Sequence, residues 1–260
     1  TKELTFTTES AGVIHNMSLD AWWMNGSAPM PNESADYEIW DSANRGTSDY
    51  GYTPTTQEQT LVAVPGAGKS AAKLESQLAN ILIVSKFAAG NLYTGKFQKT
   101  IMNISNPGAE LDWGVPFTSR PLALKGFYMY KPQTVDQGDY NGMSGKMDIC
   151  QIQVFLTDWD APSRVNTASQ TFVNVTNDPG IIAYGSLESD VTMDEYDDFT
   201  IRLEYRDLTR TPKYVVVVAA ASKYGDYFTG GVGSVLYVDE FSFVYDPSDL
   251  ATPPEMTVGR

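Results

Sequence analysis

Apolar and polar residues alternate over several short runs of this chain, the period-two signature of strands with one buried face. The cleanest run is 148–156, where Cys150, Ile152, Val154 and Leu156 share a face. Phe199, Ile201, Leu203 and Tyr205 alternate in the same way with Thr200, Arg202, Glu204 and Arg206. Residues 214–221, YVVVVAAA, are apolar on both faces and predict a central strand covered on both sides. Residues 86–132 form the centre of the pattern: strand-like runs over 95–105 and 122–131, joined by a long loop carrying Trp113, Pro116, Arg120 and Pro121. Further strands are expected over 1–8, 37–40, 61–64, 73–84 and 234–245, with a Gly- and Thr-rich loop over 46–59. Turn residues separate these runs and no long amphipathic helix stands out. The predicted fold is therefore all-β, an antiparallel β-sandwich of jelly-roll-like form.

A chain of 260 residues is long enough to bury a substantial core. The expected organisation is one β-sandwich domain over 1–246, with an irregular lead-in over 1–35 and a Pro-rich tail over 247–260. Charge narrows the partners. Eighteen Lys and Arg stand against 32 Asp and Glu, a net charge of −14, which repels nucleic acid and anionic membrane and suits neutral ligands or divalent cations. Cys150 is the single cysteine, so no disulfide framework or thiol-rich metal site exists, and its place on an apolar strand face predicts a buried, inert thiol. No apolar run reaches the roughly 18 residues a membrane-spanning helix needs. The sequence starts at Thr1 with no signal peptide in view, so processed ends are expected. Its Thr, Asn, Tyr and Gly content matches that of secreted bacterial β-proteins.

Most motifs that invite a chemical reading fail on their context. GAGKS at 66–70 lacks the first glycine of a phosphate loop, because Ala63 stands there, and no βαβ unit surrounds it. Gly66 and Gly68 read better as turn residues. His15 is the single histidine, which removes multi-His metal sites and leaves little room for Ser–His catalysis; a surface place is expected. QGDYNGMSGKMD at 137–148 partly mimics an EF-hand loop, but Gln137 opens it and no helices flank it, which favours a hairpin loop. MDEYDD at 193–198 reads as a solvated turn. Glycoside hydrolysis needs two converging carboxylates, and no E-x-D-x-x-E strand supplies them.

Sugar recognition is the chemistry the aromatic residues suggest. Planar rings stack on a pyranose while carboxylates, amides and cations bond its hydroxyls. Trp40, Asp41 and Asn44 form one such group, Trp113 and Arg120 a second, Asp158 and Trp159 a third. Trp22 and Trp23 make a weaker fourth, since neighbours on a strand point to opposite faces. The same residues would also serve simply to close one end of a sandwich core, with Arg120 bracing a loop through backbone carbonyls.

Four stretches carry a resemblance. Gly90, Leu92, Thr94 and Gly95 are followed by Gly114, Pro116, Phe117, Arg120, Pro121, Leu124, Gly126, Tyr128 and Tyr130. Together with IWDSANRG at 39–46 and SVLYVDEFSFVY at 234–245, they resemble the putative carbohydrate metabolism domain family of Bacteroides-type secreted and surface proteins. The resemblance implies a jelly-roll scaffold in a sugar context. It also implies a structural calcium with Asp239, in the closing strand, as a ligand. The resulting expectation is an extracellular or outer-membrane-surface module that binds a glycan or oligosaccharide in a loop-lined aromatic groove, with no covalent step. The rival expectations are a glycoside hydrolase on the same scaffold and a structural or adhesive domain joined to other domains or subunits of a surface assembly.

Overall fold

The alternation read along the chain becomes two facing antiparallel sheets. A computed structural model describes residues 11–81, 84–103, 105–251 and 254, so the strand expected over 1–8 and most of the expected tail lie outside the described residues. Strands β1 (Trp23–Asn25) and β2 (Ala28–Met30) form a short hairpin, followed by β3 (Trp40–Asp41), β4 (Thr55–Glu58) and β5 (Ala71–Glu75). A second hairpin, β6 (Gln77–Ile81) and β7 (Val84–Ala88), precedes the long β8 (Asn91–Ile101), β9 (Gly108–Trp113), β10 (Val115–Pro116) and β11 (Ala123–Lys131). Then come β12 (Cys150–Thr157), β13 (Ser163–Asn166), β14 (Ile181–Ser189) and β15 (Asp197–Arg202). The last three are β16 (Glu204–Tyr205), β17 (Tyr214–Ala220) and β18 (Val235–Val244).

Nine strands make the large sheet, in the order β13-β9-β8-β17-β12-β14-β16, with β10 on β17 and β3 on β8. Five make the facing sheet, β15-β11-β18-β5-β4. Leu92, Ile152, Val154, Leu156, Val215 and Val217 from the first meet Leu74, Leu124, Phe199, Ile201, Leu236 and Val238 from the second in one apolar core. The opposite face of the large sheet carries a second cluster, with Tyr93, Leu111, Trp113, Phe155, Val216 and Val218. Trp159, Phe172, Val173 and Val175 pack onto part of it. Strand β17 is thus covered on both sides, and Cys150, Ile152, Val154 and Leu156 share the core face, both as the alternation predicts. The arrangement is a jelly-roll-like antiparallel β-sandwich.

Several local expectations need correction. The strand expected over 37–40 is instead the end of a 3-10 turn (Ala35–Tyr37), an irregular Glu38 and Ile39, and the first residue of β3, because Asn32 supplies the partners. Its Oδ1 accepts from the Ile39 and Trp40 amides and its Nδ2 donates to the Trp40 carbonyl. Residues 61–64 are no strand, since their backbone is taken up elsewhere: the Ala63 amide donates to Asp239 and the Leu61 amide to Glu58. The strand lies instead at β4, inside the expected loop, where Thr55–Glu58 pairs with β5 despite its polar sequence. The run expected over 73–84 splits at Ser76, whose amide donates to Ser234 O and whose carbonyl accepts from Gly233. Strand β6 then leaves the sandwich and pairs with β7 alone. The chain returns at Gly90, where a Cβ would lie 2.2 Å from Glu75 N, so glycine is required for this close pass. The lead-in is not wholly irregular either, as β1 and β2 show. Ile14, Met17 and Leu19 are buried in the main core.

Candidate functional site

The outer face of the large sheet is left open along β8 and β9. Between that face and the β6–β7 hairpin lies a cavity of about 590 Å³, lined by Phe87, Tyr93, Phe97, Ile101, Leu111 and Phe228 among others. A small annex of about 60 Å³ shares Tyr93, Leu111 and Asp226 with it and adds Trp113, Gln151, Gln153 and Lys223. Alternation along β8 explains the floor: Leu92 enters the core and Tyr93 the outer face. Gly95 holds β9 close, because its φ of +152° and its approach to Asp112 O, 2.1 Å from where a Cβ would sit, exclude any side chain. That pairing sets Trp113 opposite Gly95.

Two polar atoms in this floor are unsatisfied. Tyr93 Oη and Trp113 Nε1 have no hydrogen-bond partner among the described residues, and both side chains are buried, Tyr93 at 2% exposure and Trp113 at 7%. Leaving such a donor unpaired costs about 1–3 kcal/mol, so each asks for a partner that the protein does not supply. Burial first, then the nearby charge of Asp41 and Asp226, pushes the Tyr93 phenol well above its usual pKa, and it stays a donor.

The 3-10 turn Gly225–Tyr227 brings Asp226 to the groove, closed by Phe228 in the left-handed region at φ 53°. Burial alone raises the Asp226 carboxyl from 3.8 to about 6. Lys86 Nζ sits 3.8 Å from the Phe228 ring centroid, and burial lowers its pKa. Neither group forms an ion pair among the described residues. A carboxylate and an ammonium thus stand at an apolar cleft without counter-charges of their own.

The residues expected to meet at one rim are instead dispersed. Trp40 has no exposed surface; its ring packs in the main core 6.1 Å from Phe241 and its Nε1 donates to His15 O at 2.9 Å. Asp41 is buried behind the groove, accepting from the Ser42 and Phe97 amides at 2.8 and 2.7 Å, and burial raises its pKa to about 6. Asn44 ties Pro29 O, Thr55 O and Thr55 N together from a buried position. Asp158 pairs with Arg210 at 2.9 Å, and Trp159 donates to Asp178 at 3.2 Å while packing edge-on to Phe155. Arg120 braces the 208–210 loop, donating to the carbonyls of Leu208 and Arg210. Trp113 is the one expected contact residue that lines the groove. Arg120→Ala is expected to lower the unfolding free energy from urea denaturation by about 1–2 kcal/mol, since charge-assisted bonds of this kind are worth a little more than neutral ones and these are partly solvated.

Asp239 does not sit in a calcium cage. Its Oδ2 accepts from the Ala63 amide at 2.8 Å, and its Oδ1 is buried without a partner among the described residues, the one sign that favours a cation. The acids whose charge reaches it, Glu240 and Asp20, are both bonded to Lys69 Nζ, which already provides positive charge there. No group of three or more acidic, His or Cys side chains suited to a metal occurs among the described residues. Among the described residues, therefore, the acidic groups around Asp239 do not make up a calcium site. The EF-hand-like stretch is likewise committed, with Asp148 accepting from Ser222, Gly231 and Ile149.

Asp226, Lys86 and Tyr93 carried no motif that singled them out. An aromatic on the outward phase of a strand whose inward phase is apolar was the available signal for Tyr93.

Fold and site define a class: a jelly-roll-like β-sandwich with an open, largely apolar groove on the outer face of one sheet. Two solved structures share the fold. A putative glycoside hydrolase from Bacteroides thetaiotaomicron superposes with a TM-score of 0.64 at 20% identity, over 92% of this chain and 72% of that one. Another from Bacteroides vulgatus gives 0.60 at 22% identity, over 81% and 88%. No curated protein matches the chain significantly. The chain belongs to the putative carbohydrate metabolism domain family, whose sequence profile matches residues 15–244. It is a carbohydrate-related domain, as the motifs at 90–95 and 114–130 imply.

Proposed function

We propose that this domain binds a glycan in the groove over β8 and β9, with no covalent step. The observation that carries the reading is the pair of buried, unpartnered donors, Tyr93 Oη and Trp113 Nε1, beside the unpaired Asp226 carboxylate. Sugar hydroxyls both accept and donate, and a pyranose offers a C–H face to the neighbouring rings. Hydrolysis would need a second carboxylate at about 5–9.5 Å. Asp226 is the single acid lining the groove among the described residues, and Asp41 behind it is held by two amides. An extracellular or outer-surface location, beside other modules of a surface assembly, belongs to the same reading and rests on composition and family context.

A glycan array followed by calorimetry and product analysis tests it. Asp226→Asn is expected to weaken binding about tenfold or more, the order of a lost charged hydrogen bond, while raising Tm modestly at neutral pH, because it removes a carboxyl whose charged form burial disfavours. Tyr93→Phe is expected to weaken binding and to stabilise the empty domain by about 1 kcal/mol, because it removes an unsatisfied hydroxyl. Binding that survives both substitutions would move the glycan elsewhere. Released sugar would make the domain a hydrolase.

A further inference from the structure

The larger chamber is poorly suited to a bare sugar. Its walls are Phe87, Phe97, Ile101, Leu111 and Phe228, with Tyr93 at the junction to the annex. Polar side chains also line it, but most of their oxygens are already used. Asn91 Oδ1 accepts from the Ala43 amide, Ser42 Oγ from the Asn44 amide, and Thr167 Oγ1 from the Ala109 amide. Thr47 Oγ1 is bonded to the Ala43 and Tyr52 carbonyls, and Asn103 Oδ1 to the Ser105 and Asn106 amides. A sugar ring placed there would strip water from several hydroxyls and find few partners, a cost of at least about 1 kcal/mol for each one left unpaired. The annex has the opposite character. There Trp113, Tyr93 and Gln153 line the wall with Asp226, and the unpartnered Trp113 Nε1 and Tyr93 Oη lie buried within two of those residues, so a sugar hydroxyl has donors and acceptors to match.

Apolar chamber and polar annex share Tyr93, Leu111 and Asp226, so one ligand can span their junction, with the annex of about 60 Å³ receiving hydroxyls of the sugar and not the whole ring. We infer that the ligand is a sugar bearing an apolar substituent, an aryl or alkyl aglycone, with the sugar at the Trp113–Asp226 end and the substituent between the β6–β7 hairpin and β8–β9. This rests on the glycan reading above and narrows it to a ligand class. The aglycone's burial against five apolar side chains supplies affinity, and the annex supplies orientation.

Calorimetry with three probe sets tests the inference: methyl glycosides of glucose, galactose and mannose, the matching phenyl glycosides, and phenyl triethylene glycol ether, which has no sugar. Burial of a phenyl ring predicts that a phenyl glycoside binds at least about tenfold more tightly than the methyl glycoside of the same sugar. Ala88→Phe places bulk in the chamber and not in the annex, and is expected to abolish that difference while leaving the methyl glycoside's affinity in place. Ala109→Phe does the same from the opposite wall and decides the matter if Ala88→Phe fails to fold. Equal affinities for methyl and phenyl glycosides, or a preference that survives both substitutions, overturn the inference and leave the glycan reading standing. If the sugar-free ether binds as tightly as the phenyl glycosides, or no probe binds at all, the glycan reading falls and the inference falls with it.

Discussion

Trp40→Ala is expected to cost the fold about 3–5 kcal/mol, the range for truncating a large aromatic in a packed core. The residue is fully buried, stands on β3 opposite Thr94, and packs among core residues from both sheets. Its indole nitrogen also anchors His15 O, so the substitution loosens the lead-in as well as opening a cavity. Urea denaturation measures the effect, with Trp40→Phe recovering much of the packing but not the hydrogen bond. A tryptophan at a sugar-binding rim would behave in the opposite way, with little change in stability and a large loss of affinity. An unchanged midpoint would place the ring outside the core and undo the fold described here at β3.

The second large effect is a fall in stability as pH rises. Asp239 is 2% exposed, and burial, reinforced by the charges of Glu240 and Asp20, raises its pKa from 3.8 to about 7. Asp41 is raised to about 6 by the same cause. A folded pKa above the unfolded one means that the native state holds protons which the unfolded chain has released. The contribution is therefore complete below about pH 4, declines as pH rises through 6 and 7, and is gone above that. At about 1.4 kcal/mol per pKa unit, Asp239 accounts for roughly 2–4 kcal/mol between pH 4 and pH 8. For a chain of this size that is a loss of about 5 °C or more in Tm. Asp239→Asn keeps an acceptor for the Ala63 amide and removes the titration, so it should raise Tm at pH 8 and flatten the profile. Should calcium raise Tm at pH 8 in the wild type and not in Asp239→Asn, the carboxylate would belong to a cation site after all.

Strands whose side-chain period matched their burial were legible in the sequence. Cys150–Thr157 and Tyr214–Ala220 each state their own faces, because a strand in a sandwich is read residue by residue. Thr55–Glu58 was not legible, since a polar segment becomes a strand only through the ladder that β5 offers it. Residues 61–64 show the reverse: an apolar run whose amides are claimed by Asp239 and Glu58 forms no ladder. The site divides along the same line. Trp113 could be named from its type, but its neighbours in space come from β12, β17 and the turn at Gly225–Tyr227, far along the chain. Asp226 sits in KYGDYF, where nothing in the local sequence distinguishes it from a solvated turn acid. Trp40 and Asn44 had the right chemistry for a sugar and were spent on packing and on holding backbone groups, a choice that only tertiary structure makes.

The β6–β7 hairpin belongs to neither sheet of the sandwich, although it forms one side of the chamber. Changes in its length or composition therefore leave the ladder and the core untouched. This makes it the element on which the proposed ligand preference can be altered at low risk to folding, while the floor formed by β8 and β9 is left in place. Replacing the hairpin is expected to change the proposed selectivity as a unit, and it is the natural place to begin redesigning the pocket.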